Sequence, residues 1–260
     1  MADADELSLD AVFTEEEKRS PTPPATSSIY TREKPLCARD DTWREVRIRL
    51  VGSHPLWGHY LWNAARAFAS YLDQNKEIYA GGSVLELGAG GGLPGIVCAL
   101  NGARQTVLTD YPDKELVDNL MNNVQENLPE ARRESVVVQG YIWGQSIDSL
   151  LSLTPEGRGF DLIILSDLVF NHSQHDALLK TCDLSLSKVS TASVLVFYTH
   201  HRPQYAQRDL EFFKKAEERE WNCEEILTRK YPPMFPDDPG EEEVRATVHG
   251  WRLTRNSKCK

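Results

Sequence analysis

The sequence predicts an α/β fold: a seven-strand, mostly parallel sheet with helices on both faces and an antiparallel hairpin at its C-terminal end. Three observations carry this. Strand-length apolar runs such as "FDLIILSDLVF" and "SVLVFYTH" alternate with segments of helical spacing, the pattern of a parallel sheet with crossover helices. The stretch "GGSVLELGAGGGLPG", Gly81 to Gly95, joins an apolar run to a glycine turn and then to a proline suited to the first turn of a helix. The last two strand candidates are linked by "YPPMFPDDPGEE", a proline-rich loop with no room for a helix, which suits an antiparallel pair.

The elements follow in order. Residues 1 to 28 are expected to form a disordered acidic tail, and residues 29 to 260 one folded domain. The first thirty residues hold seven acids and two bases, a balance of −5 in a chain of net charge −10, and "SPTPPATSS" closes the tail. An early strand runs from Val46 to Val51. "GHYLWNAARAFASYLDQ" sets Leu61, Ala64, Ala65, Phe68 and Leu72 on one helical face. The sheet strands are expected at Ser83–Gly88, Gln105–Asp110, Ser135–Gln139, Phe160–Ser166, Ser193–Thr199, Cys223–Arg229 and Val244–Leu253. Helical spacing fills the gaps at Leu93–Leu100, Lys114–Leu128, Gln174–Leu186 and Gln207–Glu220, with Gly102 as the stop after "ALN".

Composition excludes several classes of function. The longest apolar runs fall short of the roughly 18 residues of a membrane span, and the acidic N-terminus is neither a secretory signal nor a basic transit peptide. The five cysteines are scattered with no C-x-x-C pair, so neither a metal site nor a disulfide framework is expected and a reducing, cytoplasmic compartment fits. No basic stripe appears, which argues against a nucleic-acid partner. The chain is expected to work as a monomer away from membranes.

The glycine turn carries the chemistry. Glycines permit positive φ and let a ligand approach the backbone closely. "GGGLPG" from Gly90 matches G-x-G-x-x-G, a pattern that serves NAD, FAD and other ligands. Three details favour S-adenosylmethionine. Glu86 sets a carboxylate beside the turn, awkward for a pyrophosphate and harmless near a sulfonium. Asp110 ends the next strand, where an acid accepts both hydroxyls of a ribose, a feature that NAD sites share. Trp62, Tyr111 and Trp143 fall near the expected sheet rim, where aromatics sandwich an adenine or lie against a cation. Asp110 also stands where it could cap the helix at "DYPDKEL", a role compatible with the first, and Trp62 and Trp143 are equally placed to serve as plain core residues.

These motifs resemble those of the class I, seven-strand, Rossmann-like methyltransferases, and within them the lysine methyltransferases called methyltransferase family 16. The likeness rests on "LWNAA", "ELGAGGG", "LTDYPD", "YIWG" and "SDLVF", and spans about residues 45 to 255. It implies S-adenosylmethionine as cofactor, with contacts from Trp62, Gly88, Ala89, Gly90, Asp110, Trp143 and Ser166. Ser166 stands where many relatives have alanine, and Gly91 adds a third consecutive glycine. "SHPLWGHYLWNAA", "CALNGARQTVLTDYPD" and "FDLIILSDLVFNHSQH" resemble most the fungal branch of that family. That branch methylates the N-terminal glycine α-amine and the adjacent lysine of translation elongation factor 1-alpha, and the resemblance implies the same partner here.

Asp167 and Phe170, at the end of the fourth sheet strand, are the expected substrate-positioning residues. A group near Asp167 would accept the amine's hydrogen bond, and Phe170 with Tyr141 or Trp143 would wall the pocket. Asn171 and His172 either touch substrate or form a polar cap for the next helix. His172 and His175 make an H-x-x-H pair expected at the surface rather than on a metal. "THHRP", His200 to Pro203, either rims the cleft or is a plain loop. Competing functions are a small-molecule methyltransferase of the nicotinamide type and a non-catalytic cofactor-binding scaffold. An NAD-dependent oxidoreductase fits least, since no Y-x-x-x-K pair follows the fourth strand.

Overall fold

The computed structural model describes residues 24–37, 42–52, 54, 55 and 58–256. Strands β1 (Thr26–Thr31) and β2 (Glu45–Leu50) pair antiparallel as a separate two-stranded sheet. The main sheet holds β3 (Ser83–Leu87), β4 (Gln105–Asp110), β5 (Val136–Gly140), β6 (Leu162–Ser166), β7 (Ser193–Thr199), β8 (Trp221–Lys230) and β9 (Thr247–Arg255). Its order is β5-β4-β3-β6-β7-β9-β8. The first five strands in that order pair in parallel, and β9 runs antiparallel between β7 and β8. The expected seven-strand, mostly parallel sheet with a C-terminal antiparallel hairpin is therefore what the chain forms.

Five longer helices cover the sheet: α1 (Asn63–Gln74), α2 (Leu93–Leu100), α3 (Lys114–Asn127), α4 (His175–Ser185) and α5 (Ala206–Glu218). Strand periodicity of two divides the core into two layers. Val84, Leu108, Leu162, Ile164 and Leu195 point to one side, where α1, α2 and α3 pack. Leu85, Leu87, Val107, Ile163 and Val194 point to the other, against Leu178, Leu179 and Cys182 of α4 and Phe212, Phe213 and Ala216 of α5. Both strand faces are covered, so the central strands read as continuous apolar runs.

Most boundaries shift by one or two residues from the sequence reading, and three differences have a clear physical cause. β1 begins at Thr26, inside the segment expected to be a disordered tail, because backbone pairing of Thr26 through Thr31 with β2 does not require apolar alternation in the sequence. Residues 1–23 of that tail lie outside the described residues. α1 begins at Asn63 rather than near Gly58, since Trp62 adopts extended angles (φ −65°, ψ 147°) and starts the helix from outside. The loop before β9 does hold one short helical turn, Glu242–Ala246, so β9 starts at Thr247 and not at Val244. Thr247 Oγ1 donates to Glu243 O at 2.6 Å and closes that turn. Among the described residues, no helix is long and apolar enough to cross a membrane.

Candidate active site

The chain leaves β3 toward β4 on one side, and later returns to pair β6 on the other. Such a crossing opens a crevice at the carboxyl ends of the strands. A cavity of about 490 Å³ lies there, lined from the glycine turn on one side to the loops after β6 and β7 on the other.

The turn after β3 forms the first wall. Gly88, Gly90 and Gly92 all take positive φ, at 59°, 55° and 77°. A Cβ on Gly88 would come within 2.8 Å of Leu168 and 2.9 Å of Trp143, whereas one on Gly90 would meet nothing within 4 Å. Gly90 therefore lines the cavity with bare backbone open to a ligand. Ala89 also lines it, and its amide donates to Thr109 O at 2.9 Å, tying the turn to β4.

Asp110 ends β4 at the cavity wall. Its Oδ2 accepts the Gly90 amide at 2.6 Å and its Oδ1 the Tyr111 amide at 2.7 Å. Burial raises its pKa, and those two amide bonds pull it back. The helix that follows is capped instead by Asp113, which accepts the Glu115 amide at 2.8 Å. The structure thus separates the two roles open for Asp110: it faces the cavity and does not cap the helix.

Glu86 is the one expected cofactor residue that the fold keeps away from the cavity. It is fully buried and points with Val84 toward α2, where Oε2 accepts the Gly95 amide at 2.8 Å. Burial pushes its pKa from 4.5 up to about 8, and its Oε1 has no partner. The carboxyl braces the start of α2 from beneath; it offers no charge to a ligand.

Aromatic rings complete the walls. Trp62, Tyr111 and Trp143 line the cavity and are not plain core residues. Trp62 sits in a ring cluster, 5.3 Å from Tyr60, 6.0 Å from Phe235 and 4.7 Å from His201.

The rest of the cavity wall includes residues at the ends of β6 and β7. Ser166 is the last residue of β6 and lines the floor. Asp167 follows in left-handed backbone (φ 58°), a conformation that Asp tolerates better than most residues. Its Oδ1 accepts the Thr199 amide at 3.3 Å, and His201 Nε2 donates to Oδ2 at 2.8 Å. Phe170 stands at the mouth, 42% exposed. Asn171 precedes the short turn His172–Gln174 without capping it.

Of the H-x-x-H pair expected at the surface, His175 is buried and His172 lines the cavity with its side chain 16% exposed. His175 donates Nε2–H to Val169 O at 2.7 Å, while His172 donates to Asp209 Oδ1 at 2.7 Å. Asp209 of α5 takes a second imidazole through His200 Nδ1 at 2.6 Å. Among the described residues, no group of three or more His, Cys, Asp or Glu side chains is arranged so that it could hold a metal ion.

Several lining residues escaped the sequence reading: His201 as an individual residue, Asp209, and Phe235 and Asp238 from the loop between β8 and β9. "THHRP" was the single visible signal, and it does rim the cavity through His201 and Arg202.

The model of the family described as lysine methyltransferase matches residues 46–219. The protein N-terminal and lysine N-methyltransferase EFM7 of Cryptococcus neoformans var. neoformans serotype D (strain B-3501A) is 44% identical, over 96% of this chain and 89% of that protein. The protein of the same name from Schizosaccharomyces pombe is also 44% identical, over 94% of each. Among solved structures, TYW2 from Pyrococcus horikoshii in complex with MeSAdo shares the fold with a TM-score of 0.51 at 16% identity, over 81% of this chain and 69% of that one. With a family model spanning more than half its length and relatives this similar over nearly all of it, the chain belongs to the lysine methyltransferase family.

Proposed function

We propose that this protein is an S-adenosylmethionine-dependent N-methyltransferase acting on the N-terminal glycine α-amine and the adjacent lysine of translation elongation factor 1-alpha. The methyl donor is S-adenosylmethionine, and the family and the names of the relatives support a protein substrate; the elongation factor is what the resemblance of the sequence implies. One observation carries the chemical part. One cavity is lined both by Gly90 and Asp110 and by Asp167 and Phe170, so the residues read as holding the donor and those read as receiving the acceptor share one space.

The residues present fit that donor. Gly90 offers open space over its backbone, Asp110 is an acceptor on the cavity wall, and Trp62, Tyr111 and Trp143 supply ring faces for an adenine or a cation. When bound, S-adenosylmethionine supplies a methyl group already activated by its sulfonium. The chain's own task is then to position the acceptor and exclude water. Asp167 accepts a hydrogen bond from the incoming nitrogen and orients its lone pair. Phe170 walls the mouth and takes up the methylated ammonium against its ring. The nitrogen must be neutral to attack. An α-amine with a pKa near 8 is roughly one tenth neutral at pH 7, and a lysine near 10.4 is neutral about once in a few thousand. The α-amine is the easier target. A cytoplasmic setting goes with this substrate, and the described cysteines are free thiols.

The test is incubation of the purified protein with labelled S-adenosylmethionine and elongation factor 1-alpha bearing a free or an acetylated N-terminus, followed by mass spectrometry. Methyl groups are expected on the N-terminal peptide of the free form. Label on free nicotinamide with none on the factor overturns the reading, as does donor binding without any product.

A further inference from the structure

The acceptor end of the cavity carries an imidazole that the reaction as described leaves idle. His201 lies just past β7 and lines the cavity, with 15% of its side chain exposed. Its Nε2 donates to Asp167 Oδ2 at 2.8 Å, and the Thr199 amide holds the other oxygen at 3.3 Å. The Asp167 amide donates to Phe197 O at 2.7 Å. All three tethers come from β7 and the residues directly after it, so that strand fixes where the carboxylate points. The bond from His201 is the shorter of the two on the carboxylate. The left-handed backbone of Asp167 (φ 58°) persists because its surroundings hold it. The ring of His201 also packs 4.7 Å from that of Trp62, so this side chain bridges the donor wall and the acceptor carboxylate.

Resting on the methyl-transfer reading, we infer that His201 is a positioning residue: it holds the Asp167 carboxylate in the orientation from which that group receives the acceptor nitrogen.

The charge of the ring adds to this. Burial works against a protonated His201, but the Asp167 carboxylate outweighs it, with Asp209 of α5 and Asp238 of the β8–β9 loop in support, and its pKa is raised. Those three acids are the charged groups acting on the ring, Trp62 packs against it from just before α1, and Arg202 and Arg208 line the same cavity. His172 and His200 both spend a ring nitrogen on Asp209. An ammonium entering beside Asp167 shares one carboxylate with a ring whose protonated form that carboxylate favours. Like charges at this range disfavour the charged amine. The amine's N–H bond breaks, the electron pair stays on nitrogen, and the proton leaves to water.

The experiment compares wild type, His201→Ala and His201→Gln across pH, with donor affinity followed by calorimetry. It adds an NMR titration of the His201 ring in wild type and in Asp167→Asn, which needs no turnover. Loss of the tether in His201→Ala is expected to lower kcat on the order of 100-fold while donor affinity stays near the wild-type value. His201→Gln keeps a donor close to the Nε2 position and should recover much of kcat. Lacking the cation, it should gain activity with rising pH more steeply than wild type. In Asp167→Asn the ring should titrate at lower pH than in wild type. An active wild type with an equally active His201→Ala overturns the inference alone, and so does a ring titration unmoved by Asp167→Asn. A wild type that transfers no methyl group overturns the functional reading and this inference with it.

Discussion

The Gly90 amide donates to Asp110 Oδ2 across 2.6 Å, so the glycine turn and the end of β4 are mechanically one unit. Replacing Asp110 by Ala removes that acceptor and the one for Tyr111, leaving two amides to find other partners at about 1–3 kcal/mol each if they stay dry. It also removes the acceptor proposed for the ribose hydroxyls. We expect Asp110→Ala to weaken S-adenosylmethionine binding at least tenfold, about 1.4 kcal/mol, with Asp110→Asn in between. Calorimetry reads this directly, and unchanged affinity would refute the ribose role.

Glu86 should make stability depend on pH in an unusual direction for a carboxyl. Burial lifts its pKa from 4.5 to about 8 in the folded chain, so the folded state keeps a proton that the unfolded chain gives up in between. Stability from this group is fully present below about 4.5 and is lost as pH rises through about 8. Glu86→Gln cannot ionise, so its melting temperature relative to wild type should climb from acid to alkaline conditions. Melts taken at a series of pH values test this, and parallel curves for the two proteins would sink it.

The two Glu86 and Asp110 assignments show where the sequence spoke and where it fell silent. Glycine spacing, apolar runs and helical periodicity are local, so the sheet, the turn and the acid ending β4 were all legible. Glu86 was misplaced because a motif spacing does not say which way a strand residue points. Its even position puts it with Val84 on the α2 face, away from the ligand edge. Asp209 and Asp238 were invisible for a different reason: nothing in "QRDL" or "PDDPG" marks them. "THHRP" pointed to the rim without singling out His201, which only the lateral neighbourhood of β6 and β7 brings to Asp167. The strand β1 lacked any apolar stripe to betray it, being mostly exposed.

That strand is anchored by a buried ion pair. Arg32 donates to Asp73 of α1 through Nε at 2.6 Å and Nη2 at 2.9 Å, a two-point geometry with both side chains almost wholly out of water. Asn101 adds a third donor to Asp73 at 3.0 Å. Removing one partner strands the other charge in the core, which costs about 3–5 kcal/mol. Asp73→Ala should therefore shift the denaturant midpoint far down. A shift no larger than that of a surface substitution would show that the pair is solvated in solution.

The β1–β2 sheet also bears on the donor site. Asn123 of α3 accepts the Arg49 amide at 2.8 Å and donates to Arg49 O at 2.9 Å and to Gly91 O at 3.0 Å. One buried amide thus joins the edge of β2, the helix and the glycine turn. Ile48 of β2 presses on the same turn, close enough that a Cβ on Gly91 would lie 2.3 Å from its Cγ2. Asn127, one helical turn on, grips Arg47 at 2.7 Å through both its oxygen and its nitrogen but has no bond to the glycine turn. Asn123→Ala forfeits three hydrogen bonds, about 3 kcal/mol at about 1 kcal/mol each, and frees the Gly91 carbonyl to reorient. Donor affinity should fall severalfold with it. Asn127→Ala should lose stability and leave donor affinity alone. If both variants bind the donor as wild type does, the N-terminal sheet is a structural addition with no hold on the cofactor turn. If both lose affinity equally, the effect runs through general loosening of α3 and not through the Gly91 carbonyl.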